Sequence, residues 1–134
     1  IMEDALMSSA NKAREFMVRN PTCAERWEPL SSIRRTMLLN AYSFLPFRLA
    51  NGDWKLLADA DVVAFTRGVA GDRKRRLLLS LDEALAEHLK VTDAPICRME
   101  DSIDRVATSM SNVPWLVVDE GDRLLGLITA FDLL

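Results

Sequence analysis

The chain has 134 residues, a size that suits one domain or two small halves sharing a core. Hydrophobic residues make up 49% and charged residues 28% of it, which argues against a disordered tail, a fibre and a membrane protein. The net charge of −3 gives no overall reason to expect a nucleic-acid partner.

Few residues in the chain have the chemistry of a catalytic or metal site. Two cysteines, Cys23 and Cys97, are too few for a disulfide framework, and the one histidine, His88, leaves little for a zinc site. No apolar run reaches the roughly 18 residues that a spanning helix needs, and no signal-peptide pattern opens the chain. We therefore expect a cytoplasmic protein that is not an enzyme, contacts no membrane and requires no cofactor.

The chain opens with a predicted amphipathic helix over roughly residues 2–18, and the segment 1–14, which precedes the first repeat unit, contributes part of this helix. Its apolar residues lie near one stripe: Met2, Leu6, Ala10, Ala13 and Met17. The chain begins with Ile1 and ends soon after a last helix begins, so we expect it to be an excerpt of a longer protein.

An internal repeat follows, with a shift of about 70 to 74 residues between its two copies. Pro21-Thr22-Cys23 matches Pro95-Ile96-Cys97, and later blocks match in the same order. These later matches are Leu30, Ile33 and Met37 with Ile103, Val106 and Met110, and residues 56–63 with residues 127–134. Matches in a shared order indicate that one structural unit occurs twice.

The first copy, residues 15–66, predicts the element order β-α-β-β-α. After an extended segment at residues 21–23, apolar residues at 30, 33, 37 and 38 have helical spacing. Residues 44–48 and 54–57 flank Asn51-Gly52, a dipeptide typical of a hairpin turn. A second helix begins near Asp59.

A connector over residues 67–90 separates the two copies. Its run Arg73-Lys74-Arg75-Arg76 has the chemistry to meet phosphates, but in an acidic protein such a run is more typical of a solvated linker. Ser80 and Glu83 have the spacing of a capping box, which predicts a helix from about 81 to 90.

The second copy, residues 91–134, predicts the same order, with its last helix cut short. Apolar residues at 103, 106, 107 and 110 have helical spacing, and residues 115–118 and 124–128 flank a polar turn. The fold expected is therefore α+β: two β-α-β-β-α units packed as a pseudo-twofold pair, with an N-terminal helix and a connector helix.

These motifs resemble a tandem pair of cystathionine-β-synthase (CBS) domains, an arrangement called a Bateman module. Residues 115–119 and 126–134 are similar to the family pattern P-V-V-D, followed by G-h-h-T-x-x-D-h-h, where h is apolar. Residues 17–23 resemble the opening strand of the family. The first copy departs from the pattern, because Lys55 stands where the second has Gly126 and Ala58 where it has Thr129.

The resemblance implies a regulatory module that binds an adenine nucleotide or adenosyl ligand in the cleft between the two units and modulates a partner or its own oligomer. It implies AMP, ADP, ATP or S-adenosylmethionine as the ligand, and a homodimer. The implied ligand-binding residues are Thr129, Asp132, Gly126, Pro95, Ile96 and Cys97 in the second copy, and Asp61, Pro21, Thr22 and Cys23 in the first.

The residue types of this implied site suit adenosine, but they also suit helix capping. An ionised carboxylate such as Asp132 can accept both ribose hydroxyls, and Gly126 permits close backbone approach in a strand. Thr129 and Asp132 have the spacing of an N-cap pair as well. Two interpretations stay open: a ligand sensor, or a ligand-free module of the same fold that forms homodimers or docks onto a protein.

Overall fold

The structure is a computed structural model that describes residues 11–67 and 71–134. The first part of the predicted N-terminal helix lies outside the described residues, and for residues 11–18 the prediction is wrong. A short 3₁₀ helix occupies Ala13–Glu15, and strand β1 is Val18–Arg19. The amides of Ala13 and Arg14 donate to the carbonyl oxygens of Asp101 and Met99 at 2.9 and 3.0 Å, so a distant turn satisfies them in place of helix carbonyls.

The chain divides into two compact units. The terminal unit joins Ile1–Pro21 to Ala94–Leu134, and the central unit is Thr22–Asp93. These units follow contacts in space, whereas the boundaries expected at 15–66, 67–90 and 91–134 follow order along the chain. Those domain boundaries stay a prediction.

The central unit combines helices with a three-stranded sheet. Its described elements are α1 (Leu30–Asn40), β2 (Phe44–Arg48), β3 (Trp54–Ala58), α2 (Asp59–Arg67), α3 (Arg73–Leu78), α4 (Leu81–Ala86) and β4 (Thr92–Asp93). Both β2 and β4 pair antiparallel with β3, which lies between them. The core includes Leu30, Ile33 and Met37 of α1, which confirms the predicted helix face, but Leu38 is 62% exposed and lies outside this core.

Residues 21–23 do not form the strand that was predicted there. The amide of Ala24 donates to the carbonyl of Pro46 in β2 at 2.9 Å. Pro46 has no amide hydrogen to return a bond, whereas Leu116, at the matching position of the second copy, donates to Pro95 at 2.8 Å. The strand pairing that β5 and β6 form in the second copy is therefore absent at residues 21–23 of the first copy.

The connector is more ordered than a solvated linker. Its basic run begins α3, and Arg75 bridges Asp72 at 2.8 Å and Glu87 at 2.7 Å. The capping box of α4 is confirmed, since the Ser80 hydroxyl accepts from the Glu83 amide at 3.1 Å. The helix ends at Ala86 and does not reach residue 90, because His88 has a φ of 72°, a left-handed conformation that cannot continue a helix.

The terminal unit contains a four-stranded sheet with the order β1-β7-β6-β5. Its further elements are β5 (Ile96–Cys97), α5 (Ile103–Thr108), β6 (Trp115–Val118), β7 (Leu124–Ile128) and a final 3₁₀ helix (Ala130–Leu133). Strand β5 runs parallel to β6, and the other pairs are antiparallel. Within residues 11–67 and 71–134, no helix is both long and apolar enough to span a bilayer. The α+β class is confirmed.

Candidate ligand-binding site

Thr129 and Asp132 lie together just after β7, as their spacing predicts. One carboxylate oxygen of Asp132, Oδ2, accepts from the Thr129 amide at 2.8 Å and from the Thr129 hydroxyl at 3.0 Å. Both residues are half-buried. The other oxygen, Oδ1, accepts no hydrogen bond from any residue that the structure describes, so this capping pair leaves one acceptor for a second partner.

The edge strand β5 presents backbone groups in the same sheet. Ile96 pairs with Leu116, and the Leu116 amide donates to Pro95. In a parallel ladder a residue directs its amide and its carbonyl to the same side, and neighbouring residues alternate between the two sides. The amide and the carbonyl of Ile96 therefore point away from β6, where a donor and an acceptor side by side match the edge of a purine.

Ile96 and Thr129 lie at the same end of this sheet. Trp115 of β6 pairs with Ile128 of β7, and the next residue, Leu116, pairs with Ile96. The edge strand and the end of β7 are separated by two strand spacings, roughly 10 Å. This separation is on the scale of one nucleoside, whose base and ribose need different partners.

Two of the predicted site residues face the interior. A Cβ atom on Gly126 would lie 2.8 Å from both the Met17 sulfur and the Val18 carbonyl oxygen, so the glycine makes room for β1. The Cys97 side chain is buried, and burial, reinforced by the charge of Asp101, raises the pKa of its thiol to about 11. At neutral pH the thiol stays protonated, and because Cys97 is next to Ile96 its amide and carbonyl point towards β6, so Cys97 offers no polar group to a ligand at this edge.

The residues predicted to bind a ligand in the first copy offer fewer suitable groups than those of the second copy. Asp61 lies half-buried in the first turn of α2, and Thr22 is exposed. Burial, together with the charge of Glu25, raises the pKa of the Cys23 thiol to about 11. Ala24, the residue after Cys23, lines a surface cavity of about 350 Å³, but Asp61 does not line this cavity. Ala58 adds no hydroxyl, so nothing here matches the Thr129–Asp132 pair.

Asp101 holds the chain next to the candidate site, and the sequence analysis did not identify it. Its Oδ2 accepts from the Arg98 amide at 2.8 Å and from the Arg105 side chain at 3.0 Å, which fixes the chain directly after β5. Arg105 in turn lies over the Trp115 ring at 5.3 Å. The spacing of Asp101 and Arg105, four residues apart, was the one available signal.

The two sheets, their helices and the duplicated element order define an α+β protein built from two similar units. Residues 86–134 match the family model of the CBS domain. The match covers less than half of the chain, and the chain as a whole has the fold of a tandem CBS pair. A search of curated protein sequences finds no match.

Solved structures of low sequence identity share this fold over most of their length. A CBS domain-containing protein of unknown function from Bacillus anthracis has a TM-score of 0.74 at 15% identity, covering 96% of this chain and 93% of that one. CBSX2 in complex with AMP has a TM-score of 0.67 at 14% identity, covering 90% and 91%. CbpB in complex with c-di-AMP has a TM-score of 0.73 at 9% identity, covering 98% and 87%.

Proposed function

We propose that the protein is a regulatory module whose terminal unit binds an adenine nucleotide or an adenosyl ligand. The observation that carries the proposal is the spare acceptor of Asp132, which lies at the same sheet end as the outward backbone groups of Ile96. Two proteins of the same fold have been solved with AMP and with c-di-AMP, which supports an adenine ligand here.

In this proposal each part of the ligand has its own partner. Oδ1 of Asp132 accepts hydrogen bonds from the ribose hydroxyls, while Oδ2 stays with Thr129 and holds the carboxylate in place. The amide of Ile96 donates to a ring nitrogen of adenine, and its carbonyl accepts from the exocyclic amine. Pro95 adds an apolar contact before the strand.

The charges around the unit favour a ligand with few phosphates. The Arg98 side chain donates to the Asp119 carbonyl and lies 3.5 Å from Asp122, and Arg105 pairs with Asp101. Because these guanidinium groups already have carboxylate partners, they offer little to a triphosphate. We therefore propose AMP or S-adenosylmethionine ahead of ATP.

A thermal-shift and calorimetry series tests this assignment. The ligands are AMP, ADP, ATP, S-adenosylmethionine and c-di-AMP, with GTP as the control. A ligand that binds only the folded state adds about 2.7 kcal/mol at a concentration 100-fold above its Kd. Asp132→Asn should weaken binding by about tenfold or more, because a charge-assisted hydrogen bond is lost.

A matched variant separates loss of binding from loss of stability. Asp104→Asn removes the same charge from an exposed residue of α5 and should leave the Kd unchanged. The unliganded melting temperature of Asp132→Asn reports the capping contribution by itself. A shift that persists in Asp132→Asn would contradict the site, even if the ligand is correct.

A ligand-free docking module is the second candidate, favoured by the capping contacts of Asp132 and the incomplete set around Asp61. No shift with any adenine ligand in folded protein would select it. A homodimer belongs to both candidates and is tested by light scattering during gel filtration, where a monomer at high micromolar concentration would refute it.

A further inference from the structure

A cavity occurs at the matching place in the two copies of the repeat. Residues 24–26 and 48–50 line it in the central unit, and residues 98–100 and 118–120 line it in the terminal unit. In each copy the first set directly follows the Pro-x-Cys motif, and the second set lies at the end of the first hairpin strand and in the turn after it. The volume is about 350 Å³ in the central unit and about 180 Å³ in the terminal unit. None of these residues belongs to the candidate ligand-binding site.

In the terminal unit the protein itself balances the charges of this cavity. The Arg98 side chain donates to the Asp119 carbonyl and lies 3.5 Å from the Asp122 carboxylate. Asp119, Glu120 and Glu100 add acidic residues to the lining. An anion that entered this cavity would meet carboxylates and an arginine that already has partners.

The acidic part of this lining has no counterpart in the first copy. The hairpin turn of the first copy has Leu49 and Ala50 where the second has Asp119 and Glu120. Arg48 comes directly before this turn, at a position where the second copy has an apolar residue. The cavity of the central unit therefore lacks two carboxylates that its counterpart has and contains a cation that its counterpart lacks.

The Arg48 guanidinium is held at the wall of this cavity. Its Nε donates to the Gly52 carbonyl at 2.8 Å, and Gly52 also lines the cavity. The guanidinium carbon lies 5.3 Å from the centre of the Trp54 ring, which supports the group from one side. Within the described part of the chain no carboxylate pairs with Arg48. Its two terminal nitrogens can therefore donate to a ligand.

Residues 25 and 26 bring one negative and one positive charge to the same lining. Arg26 lies 3.8 Å from Asp82, a long contact between exposed side chains that is worth little. The Arg26 amide donates to no residue that the structure describes. With Arg48, the cavity has two positive charges against the single negative charge of Glu25, and it keeps unused donors.

We propose that the cavity of the central unit binds a small organic oxyanion, a phosphate monoester or a carboxylate. The planar guanidinium of Arg48 donates to two oxygens of such a group, and Arg26 supplies further donors. Ala24 and Leu49 contact the apolar part of the ligand. The module would then respond to an anion as well as to the adenine ligand proposed above, through a site with different residues.

The test measures binding of glycerol 3-phosphate and of succinate to the full chain by isothermal titration calorimetry, with glycerol as the uncharged control. We expect saturable binding of at least one anion and none of glycerol, and the anion that binds identifies the phosphate or the carboxylate as the preferred group. Arg48→Gln should weaken binding at least about tenfold, because charge-assisted hydrogen bonds are lost. Ala50→Glu should weaken it to a similar degree, because it gives the first copy the acidic residue of the second.

Ala107→Glu is the matched control, because it makes the same change at an exposed residue of α5 and should leave the Kd within about twofold of the wild type. Asp132→Asn should also leave it unchanged, so a failure of the adenine site does not affect this test. Circular dichroism checks that each variant is folded. Absence of anion binding, equal binding of glycerol, or binding that Arg48→Gln and Ala50→Glu leave unchanged would each overturn the proposal. So would anion binding that Asp132→Asn abolishes.

Discussion

Replacing Gly126 by alanine should destabilise the terminal unit, although the residue lies in a regular strand. Gly126 pairs with Arg19 of β1, and the segment before β1 covers its Cα. A new methyl group would meet the Val18 carbonyl oxygen at 2.8 Å, where ordinary van der Waals contact begins at 3.4 Å. The Met17 sulfur lies equally close, and Met17 is buried, so it has little room to withdraw.

The size of the effect follows from two opposing terms. Gly→Ala at a position without clashes stabilises by about 0.4–1 kcal/mol, because the unfolded chain loses freedom. Overpacking a buried site costs about 1–3 kcal/mol, and here the obstacle includes backbone that is held by pairing with β7. We expect a net loss of about 2 kcal/mol, which lowers the melting temperature by roughly 8 °C in a protein of this size.

Gly121→Ala supplies the control within the same hairpin. Its Cβ would lie 3.5 Å from the Asp119 carboxylate, an ordinary contact, so its melting temperature should stay at or slightly above the wild-type value. Calorimetry and urea unfolding of both variants give the comparison, and hydrogen exchange at the amide of Asn20, which donates to the Leu125 carbonyl, reports on the contact between the β1 segment and β7. Equal stability of the two alanine variants would refute the packing argument for Gly126.

Two further predictions concern charge and thiol chemistry. Hydrogen bonds from Arg75 lower the pKa of Asp72 and of Glu87 below their ordinary values of 3.8 and 4.5. Their contribution to stability is therefore complete above those ordinary values and is lost as the pH falls through the lowered ones. Arg75→Gln should melt below the wild type at pH 7, and the gap should close towards pH 3; a gap constant with pH would contradict this. The Cys97 thiol, with a pKa raised to about 11 from 9.0 by burial, should react with iodoacetamide at pH 8 at least about 100-fold more slowly in native than in urea-unfolded protein. Native labelling at the unfolded rate would contradict it.

Local sequence signals predicted the parts of the fold whose partners are close in the chain. The dipeptide Asn51-Gly52 placed the first hairpin, and the spacing of Ser80 and Glu83 placed the start of α4, because both devices close within four residues. Thr129 and Asp132 were brought together for the same reason. These signals were correct because their geometry does not depend on the rest of the molecule.

The predictions that were wrong depend on distant partners. The helix predicted over residues 11–18 gave way to a 3₁₀ turn, because residues 99–101 accept its amide hydrogens. The basic run became part of α3, where Arg75 bridges to Glu87, 12 residues further along. Hydrophobic periodicity depends only on the residues of one segment. Both of these outcomes depend on hydrogen bonds to other segments, so periodicity could not predict them.

A comparison of the two copies shows where the third strand of each sheet hairpin comes from. In the central unit Lys55 and Leu56 of β3 pair with Asp93 and Thr92 of β4, the strand at the start of the second copy.

In the terminal unit the matching residues, Gly126 and Leu127 of β7, pair with Arg19 and Val18 of β1, the strand that precedes Pro21 in the first copy. Each copy's hairpin thus takes its third strand from the opening segment of the other copy. The third-strand contact is an ion pair at Lys55 and a close backbone approach at Gly126. The departure from the family pattern at residue 55 is therefore a difference in how the third strand is held, and by itself it is no evidence that the first copy has lost a ligand.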